Sequence, residues 1–228
     1  MRNFALFSHH SAGNAELAEL TLLNHWRYSL RWGYDFIVYR EPWPGARAWV
    51  MDGGEADVVR SHAAVAAVGS DVVFTNFDRP IHELADPAYG LVVTTEHWTP
   101  GAGCNNYLNC GVAIYHNNAK FDWYLAQLRA NREQYLAHPW YHQQLMVDLL
   151  ALNGLRPVTT PLAKEAIKVI PARAMNSAVH PNAAEEGRWQ PGDLAAHCYA
   201  IPEGQAKIET ARKYLALVNS GGWKGGEV

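Results

Sequence analysis

The opening of the chain constrains its fold most. The apolar run Phe4–Phe7 ends in the polar stretch Ser8-His-His-Ser11, a helical pattern follows to about Trp32, and a second apolar run covers Phe36–Tyr39. Leu17, Leu20, Leu23 (or Asn24) and Tyr28 recur at helical spacing. Asn14 stands where an N-cap belongs and Gly33 where a helix stops. Two strands joined through a helix run parallel, because a tight hairpin can join only antiparallel ones. The pattern therefore opens an α/β fold with a parallel sheet.

The same pattern continues. Ala56–Val68 reads as a second helix, Asp71–Thr75, Leu91–Thr95 and Val112–Tyr115 as strands, and Phe121–Tyr135, Trp140–Leu152 and Glu203–Asn219 as helices. Glu41–Gly54 and Gly101–Asn106 read as loops. Beyond Leu155 the signal breaks into short pieces around Pro157, Pro161, Pro171, Pro181 and Pro191. At 228 residues the chain suits one large domain, expected over 1–220, with a loose tail at 221–228.

Composition narrows the class. Hydrophobic residues make up 49% and charged ones 18%, so a sizeable core is available and a disordered chain is excluded. The net charge of −3 offers no basis for nucleic acid as a partner. Cys104, Cys110 and Cys198 are odd in number and form no Cys-x-x-Cys pair, which indicates neither a disulfide framework nor a zinc knuckle. With no stretch resembling a signal peptide or a transmembrane segment, a cytoplasmic protein is expected. Nine Trp and eleven Tyr fit either an aromatic core or faces on which a sugar or base stacks.

The run Asp71–Thr75 leads directly into Asn76-Phe-Asp78. A buried strand that ends in carboxylate and amide oxygens delivers them to the edge where α/β sheets bind ligands. Mg²⁺ and Mn²⁺ prefer such oxygens.

Five segments, in order, carry a family resemblance. They are Asn24-His-Trp-Arg-Tyr28 with Gly33-Tyr-Asp35; Val73-Phe-Thr-Asn-Phe-Asp78; Leu108-Asn-Cys-Gly-Val112 with Ile114 and Asn117; His142-Gln143 with Leu145 and Leu149-Leu150; and Gly192-Asp-Leu-Ala-Ala-His197. In this order the chain resembles the GT-A nucleotide-sugar glycosyltransferases, in particular the galactosyl-, xylosyl- and mannosyltransferases of yeast Golgi and plant xyloglucan synthesis. The resemblance implies a GT-A-like, Rossmann-like single domain with a mainly parallel mixed sheet flanked by helices. It implies a transferase of glycan biosynthesis that moves a hexose or pentose from a nucleoside diphosphate sugar to a glycan or other hydroxyl acceptor.

By resemblance, Asp78 and His197 hold Mn²⁺ or Mg²⁺, and Asn76 holds the metal or the ribose. Ser8, His9 and Arg60 contact the nucleotide and its diphosphate. Gln143, with Asn109 and His142 near it, faces the reacting sugar. A Gln is a poor nucleophile, so retention by front-face attack is implied, the leaving phosphate taking the acceptor proton. The chain departs from the family's Asp-x-Asp at Asn76, and from its Asp-Gln at His142. Those departures favour the alternative of a catalytically decayed nucleotide-sugar or carbohydrate-binding protein. A zinc hydrolase is disfavoured because the eleven histidines show no His-Glu-x-x-His. A nucleotidyltransferase is disfavoured because Ser8–Gly13 holds one glycine and no Lys or Arg.

Overall fold

The computed structural model describes residues 2–10, 15–40, 54–96, 107–135, 138, 140–152, 161–202 and 204–220. Asn14, most of the loop expected at 41–54, the loop at 101–106 and the tail at 221–228 lie outside the described residues.

The expected opening is present as β1 (Arg2–His10), α1 (Ala15–Trp32) and β2 (Asp35–Arg40). Gly33 ends α1 with φ +68°, a conformation that costs glycine little, and Tyr34 N donates back to Ser29 O. The next stretch corrects the sequence expectation. Only Gly54–Ser61 is helical (α2), and His62–Gly69 is a strand, β3. Alanine favours helices in isolation. Here the run Ala63–Val68 is the interior of a sheet, where small apolar side chains pack on both faces and tertiary burial overrides propensity.

The remaining elements are β4 (Val72–Phe74), β5 (Leu91–Thr95), β6 (Leu108–His116), α3 (Ala119–Ala130), α4 (Arg132–Tyr135), α5 (Tyr141–Leu149), α6 (Pro161–Ala166), β7 (Ile167–Ile170), α7 (Ala172–Met175), β8 (Ser177–Ala178), β9 (Ala195–His197) and α8 (Gln205–Asn219). The single helix expected over Phe121–Tyr135 is thus two, broken at Asn131. Its start lies two residues earlier, because the Asn118 side chain caps the free N–H groups of Lys120 and Phe121.

The central sheet has the order β2-β1-β3-β6-β5-β7. β6 runs antiparallel to both its neighbours, and the other pairings are parallel. This is the mainly parallel mixed sheet expected. Successive residues of β1 alternate between two cores. Ala5 and Phe7 pack with Val65, Tyr115, Phe121 and Met146 on one face, while Leu6 packs with Ala66, Val112, Ile114 and Tyr28 on the other. A second sheet, β4-β9-β8, lies beside α1 and α8.

The segment Asn24–Tyr28 holds this second sheet in place. Asn24 takes the part of a neighbouring strand: its Nδ2 donates to Phe74 O and its Oδ1 accepts from Phe74 N. His25 Nε2 donates to Val72 O, and the Tyr28 hydroxyl donates to Arg79 O and accepts from Ile81 N. Burial lowers the His25 pKa to about 4, so the ring is neutral and can make these bonds.

Candidate functional site

The site forms where the C-terminal ends of β1, β3 and β5 meet the N-terminal end of the reversed strand β6. His9 pairs with Gly69, Val68 with Val112, and Thr94 with Asn109. Between Val92 and Thr94 of β5, the facing strand advances from Ile114 to Asn109. This bulge releases Cys110 and Gly111, just past the paired Asn109, from the regular ladder with β5 and re-aims them. Bulged N–H groups still need acceptors. Gln143 Oε1 accepts from Cys110 N at 3.0 Å, and Asn109 Oδ1 accepts from Gly111 N at 2.8 Å.

Three groups of side chains gather on the bulge. Asn109 donates to Glu96 Oε2 and accepts from Asn176 Nδ2, all three being buried. On α5, His142 Nε2 lies 3.3 Å and Gln143 Oε1 3.2 Å from the Cys110 thiol. The third group is at Gly111. His197 of β9 fills the space that any other side chain would need, because a Cβ there would lie 2.1 Å from His197 Cε1.

His197 Nε2 is 3.2 Å from Asp71 Oδ1, and Lys207 Nζ of α8 is 3.2 Å from Asp71 Oδ2. The side chains of all three are 5–6% exposed. His197 Nδ1 is buried and has no hydrogen-bond partner among the described residues. Pairing of Val72 with His197 fixes the meeting of Asp71 and His197. The loop ahead of β9 is anchored by Asp193, whose carboxylate takes Arg173, Ser177 Oγ and Gln190 N. Next to this cluster, burial and the Asp71 charge push the Cys198 thiol up to about 12, which keeps it inert.

The sequence-predicted residues divide clearly. The structure brings together His197, Asn109, His142 and Gln143 around the bulge. It does not bring Asp78 to His197. β4 and β9 are antiparallel, so the chain moves away from His197 as it passes Phe74. Asp78 is on the surface, 3.1 Å from Arg31, with 73% of its side chain exposed. Asn76 forms a turn, accepting from Asp78 N and donating to Gly192 O, so its amide is used structurally. Neither residue is a ligand beside His197.

Arg60 is also misplaced. It precedes β3, faces Asp122 at 3.7 Å, and stands a full strand, roughly 23 Å at 3.3 Å per residue, from Gly69. Ser8 and His9 reach the correct edge. The Ser8 hydroxyl is nonetheless buried between His10 Nε2 (3.0 Å) and His25 Nδ1 (2.8 Å), and His9 stacks on Tyr39.

Sequence reasoning missed Asp71, Lys207, Glu96, Asn176 and the thiol of Cys110. Asp71 was within reach. Once Ala63–Val68 is a strand, Gly69-Ser-Asp71 is the tip that follows it, and by position it replaces Asn76-Phe-Asp78 as the counterpart of Asp-x-Asp. Its first carboxylate is then a glycine.

These residues do not fit the divalent cation that the resemblance implies. Among the described residues no three His, Cys, Asp or Glu side chains are grouped to hold a metal ion. Asp71 and His197 are spaced as two donors, but the remaining carboxylate oxygen already carries the Lys207 ammonium.

No protein-family model matches the chain, and no curated protein matches it. Solved structures do. One is a glycosyltransferase involved in glycosylation of the major capsid of PBCV-1, with TM-score 0.63 and 18% identity, over 94% of this chain and 99% of that one. A second is the galactosyltransferase LgtC in complex with donor and acceptor sugar analogs, with TM-score 0.57 and 13% identity, over 95% of each chain. A third is the catalytic domain of Drosophila β1,4-galactosyltransferase 7 with xylobiose, with TM-score 0.50 and 12% identity, over 94% of this chain and 81% of that one. Among the described residues no helix is long and apolar enough to cross a membrane. Sheet order, reversed β6 and these likenesses agree: the chain has the GT-A fold of the nucleotide-sugar glycosyltransferases.

Proposed function

We propose that the protein transfers a hexosyl or pentosyl group from a nucleoside diphosphate sugar to a hydroxyl of a glycan or similar acceptor. One observation carries this: the Asp71–His197–Lys207 cluster and the Asn109-Cys-Gly111 bulge with Gln143 converge at the ligand-binding edge of a GT-A sheet. On this reading His197 and Lys207 face the leaving diphosphate, and stabilise charge as it develops there.

Asn109, Glu96 and Asn176 offer amide and carboxylate groups for sugar hydroxyls, and among the described residues the buried Asn176 Oδ1 has no hydrogen-bond partner. Gln143 is held by Cys110 through Oε1, which leaves Nε2 as its other polar end. An amide cannot form the covalent intermediate of a double displacement. Together with the resemblance, this supports retention by front-face attack, with the departing phosphate oxygen accepting the acceptor's proton.

The test is turnover. Purified protein incubated with UDP-, GDP-, CDP- and dTDP-sugars, with and without oligosaccharide acceptors, should release free nucleoside diphosphate. Asp71→Ala should abolish that release. Gly69 at the first position of the Gly-Ser-Asp tip supports a second reading, a binding protein on the same scaffold. That reading requires nucleotide-sugar binding with no release under any of these conditions.

A further inference from the structure

We infer that Lys207 supplies here the fixed positive charge that a divalent cation supplies in the transferases this chain resembles. Nucleoside diphosphate then binds without added metal. This rests on the proposed function and concerns the same site.

The inference follows from charge and burial. A lysine is seldom found fully buried unless it is paired. Lys207 is 4% exposed, and its ammonium lies 3.2 Å from Asp71 Oδ2. It comes from the first turn of α8, on a different element from both Asp71 and His197. The carboxylate and the ammonium cancel, so the Asp71–Lys207 pair carries no net charge. A dication entering beside them would add two positive charges next to a buried ammonium. A diphosphate would bring negative charge to the ammonium instead.

Among the described residues, the Asp71–His197–Lys207 cluster also holds a single carboxylate. Two carboxylates in an Asp-x-Asp would balance a dication, but position 69 is glycine. A Cβ at 69 would lie 3.0 Å from Asp71 Oδ1, so the tight turn itself leaves little space for a second acid. Asn76 and Asp78 do not make up the deficit, being committed to a surface turn and to Arg31.

The test compares binding of UDP, GDP, CDP and dTDP to the full chain, by calorimetry, in EDTA and in Mn²⁺. Whichever nucleotide binds should do so with affinities within about threefold in the two buffers, as expected when the charge is built into the protein. Mn²⁺ paramagnetic resonance should show no tightly held ion in the nucleotide complex. Lys207→Met should weaken binding in EDTA at least about tenfold, the loss expected for a charge-assisted contact. Lys207→Arg keeps the charge and should retain EDTA binding, which covers the case in which Lys207→Met fails to fold. Binding that needs Mn²⁺ in the unmodified protein overturns the inference but leaves the transferase reading standing. No binding of any nucleotide in either buffer overturns both.

Discussion

Gly111 and His197 are locked together, because the imidazole occupies the volume in which any side chain at 111 would begin. Gly111→Ala must displace the ring or the strand. The cost expected for such overpacking is about 1–3 kcal/mol of stability. Displacing the ring by an ångström should lower turnover about a hundredfold. Melting curves and steady-state rates on the same preparation check both effects.

Loss of Asp71 should cost far more stability than loss of Asp78. Asp71→Ala removes the carboxylate that faces the buried Lys207 ammonium, a loss on the order of 3–5 kcal/mol. Asp78→Ala removes a pair in which both side chains are more than half exposed, worth about 1 kcal/mol or less. Urea denaturation measures the difference. A larger loss in Asp78→Ala would contradict the placement of the two acids.

The carboxyl of Glu55, in the first turn of α2, is pushed from 4.5 up to about 8 by burial. Between those values the folded protein keeps a proton that the unfolded chain releases, so this group makes stability fall as pH rises from 4.5 to 8. Glu55→Gln should raise the melting temperature at pH 8 by about 5 °C or more and leave it little changed at the acid end of that window. His25 acts in the opposite sense. Its pKa is lowered from 6.5 to about 4, so its contribution is lost as pH falls across that interval.

Asn24→Ala should destabilise the protein by roughly 2–3 kcal/mol, because it leaves both Phe74 N and Phe74 O without partners inside the protein. Asn24→Asp should be nearly as harmful, since a carboxylate can accept from Phe74 N but cannot donate to Phe74 O. Denaturant midpoints of the two variants provide the check.

The sequence made the architecture legible where periodicity was strong. The opening β1-α1-β2 unit and the span of β5 could be read from apolar spacing and from Gly33. The positions supplied by the family resemblance, Asn109, His142, Gln143 and His197, gather at one place although they lie on a strand end, a helix and a strand that was not expected. The alanine-rich β3 reads as a helix because its β character comes from its neighbours in the sheet, not from its own residues. That one misassignment moved the ligand tip to the next apolar run, from Asp71 to Asp78. Lys207 was hidden for a different reason. Nothing local separates a lysine in the first turn of an amphipathic helix from a solvated one, and its burial depends on Asp71, 136 residues away in the chain.

The bulge in β6 alters what mutagenesis at position 143 would report. Gln143 serves as a surrogate strand for an otherwise orphaned peptide group. Truncating it to alanine would perturb the backbone at Cys110 as well as remove an amide. Glutamate preserves the acceptor oxygen and the length, so replacement by glutamate separates scaffolding from chemistry at this residue and replacement by alanine does not.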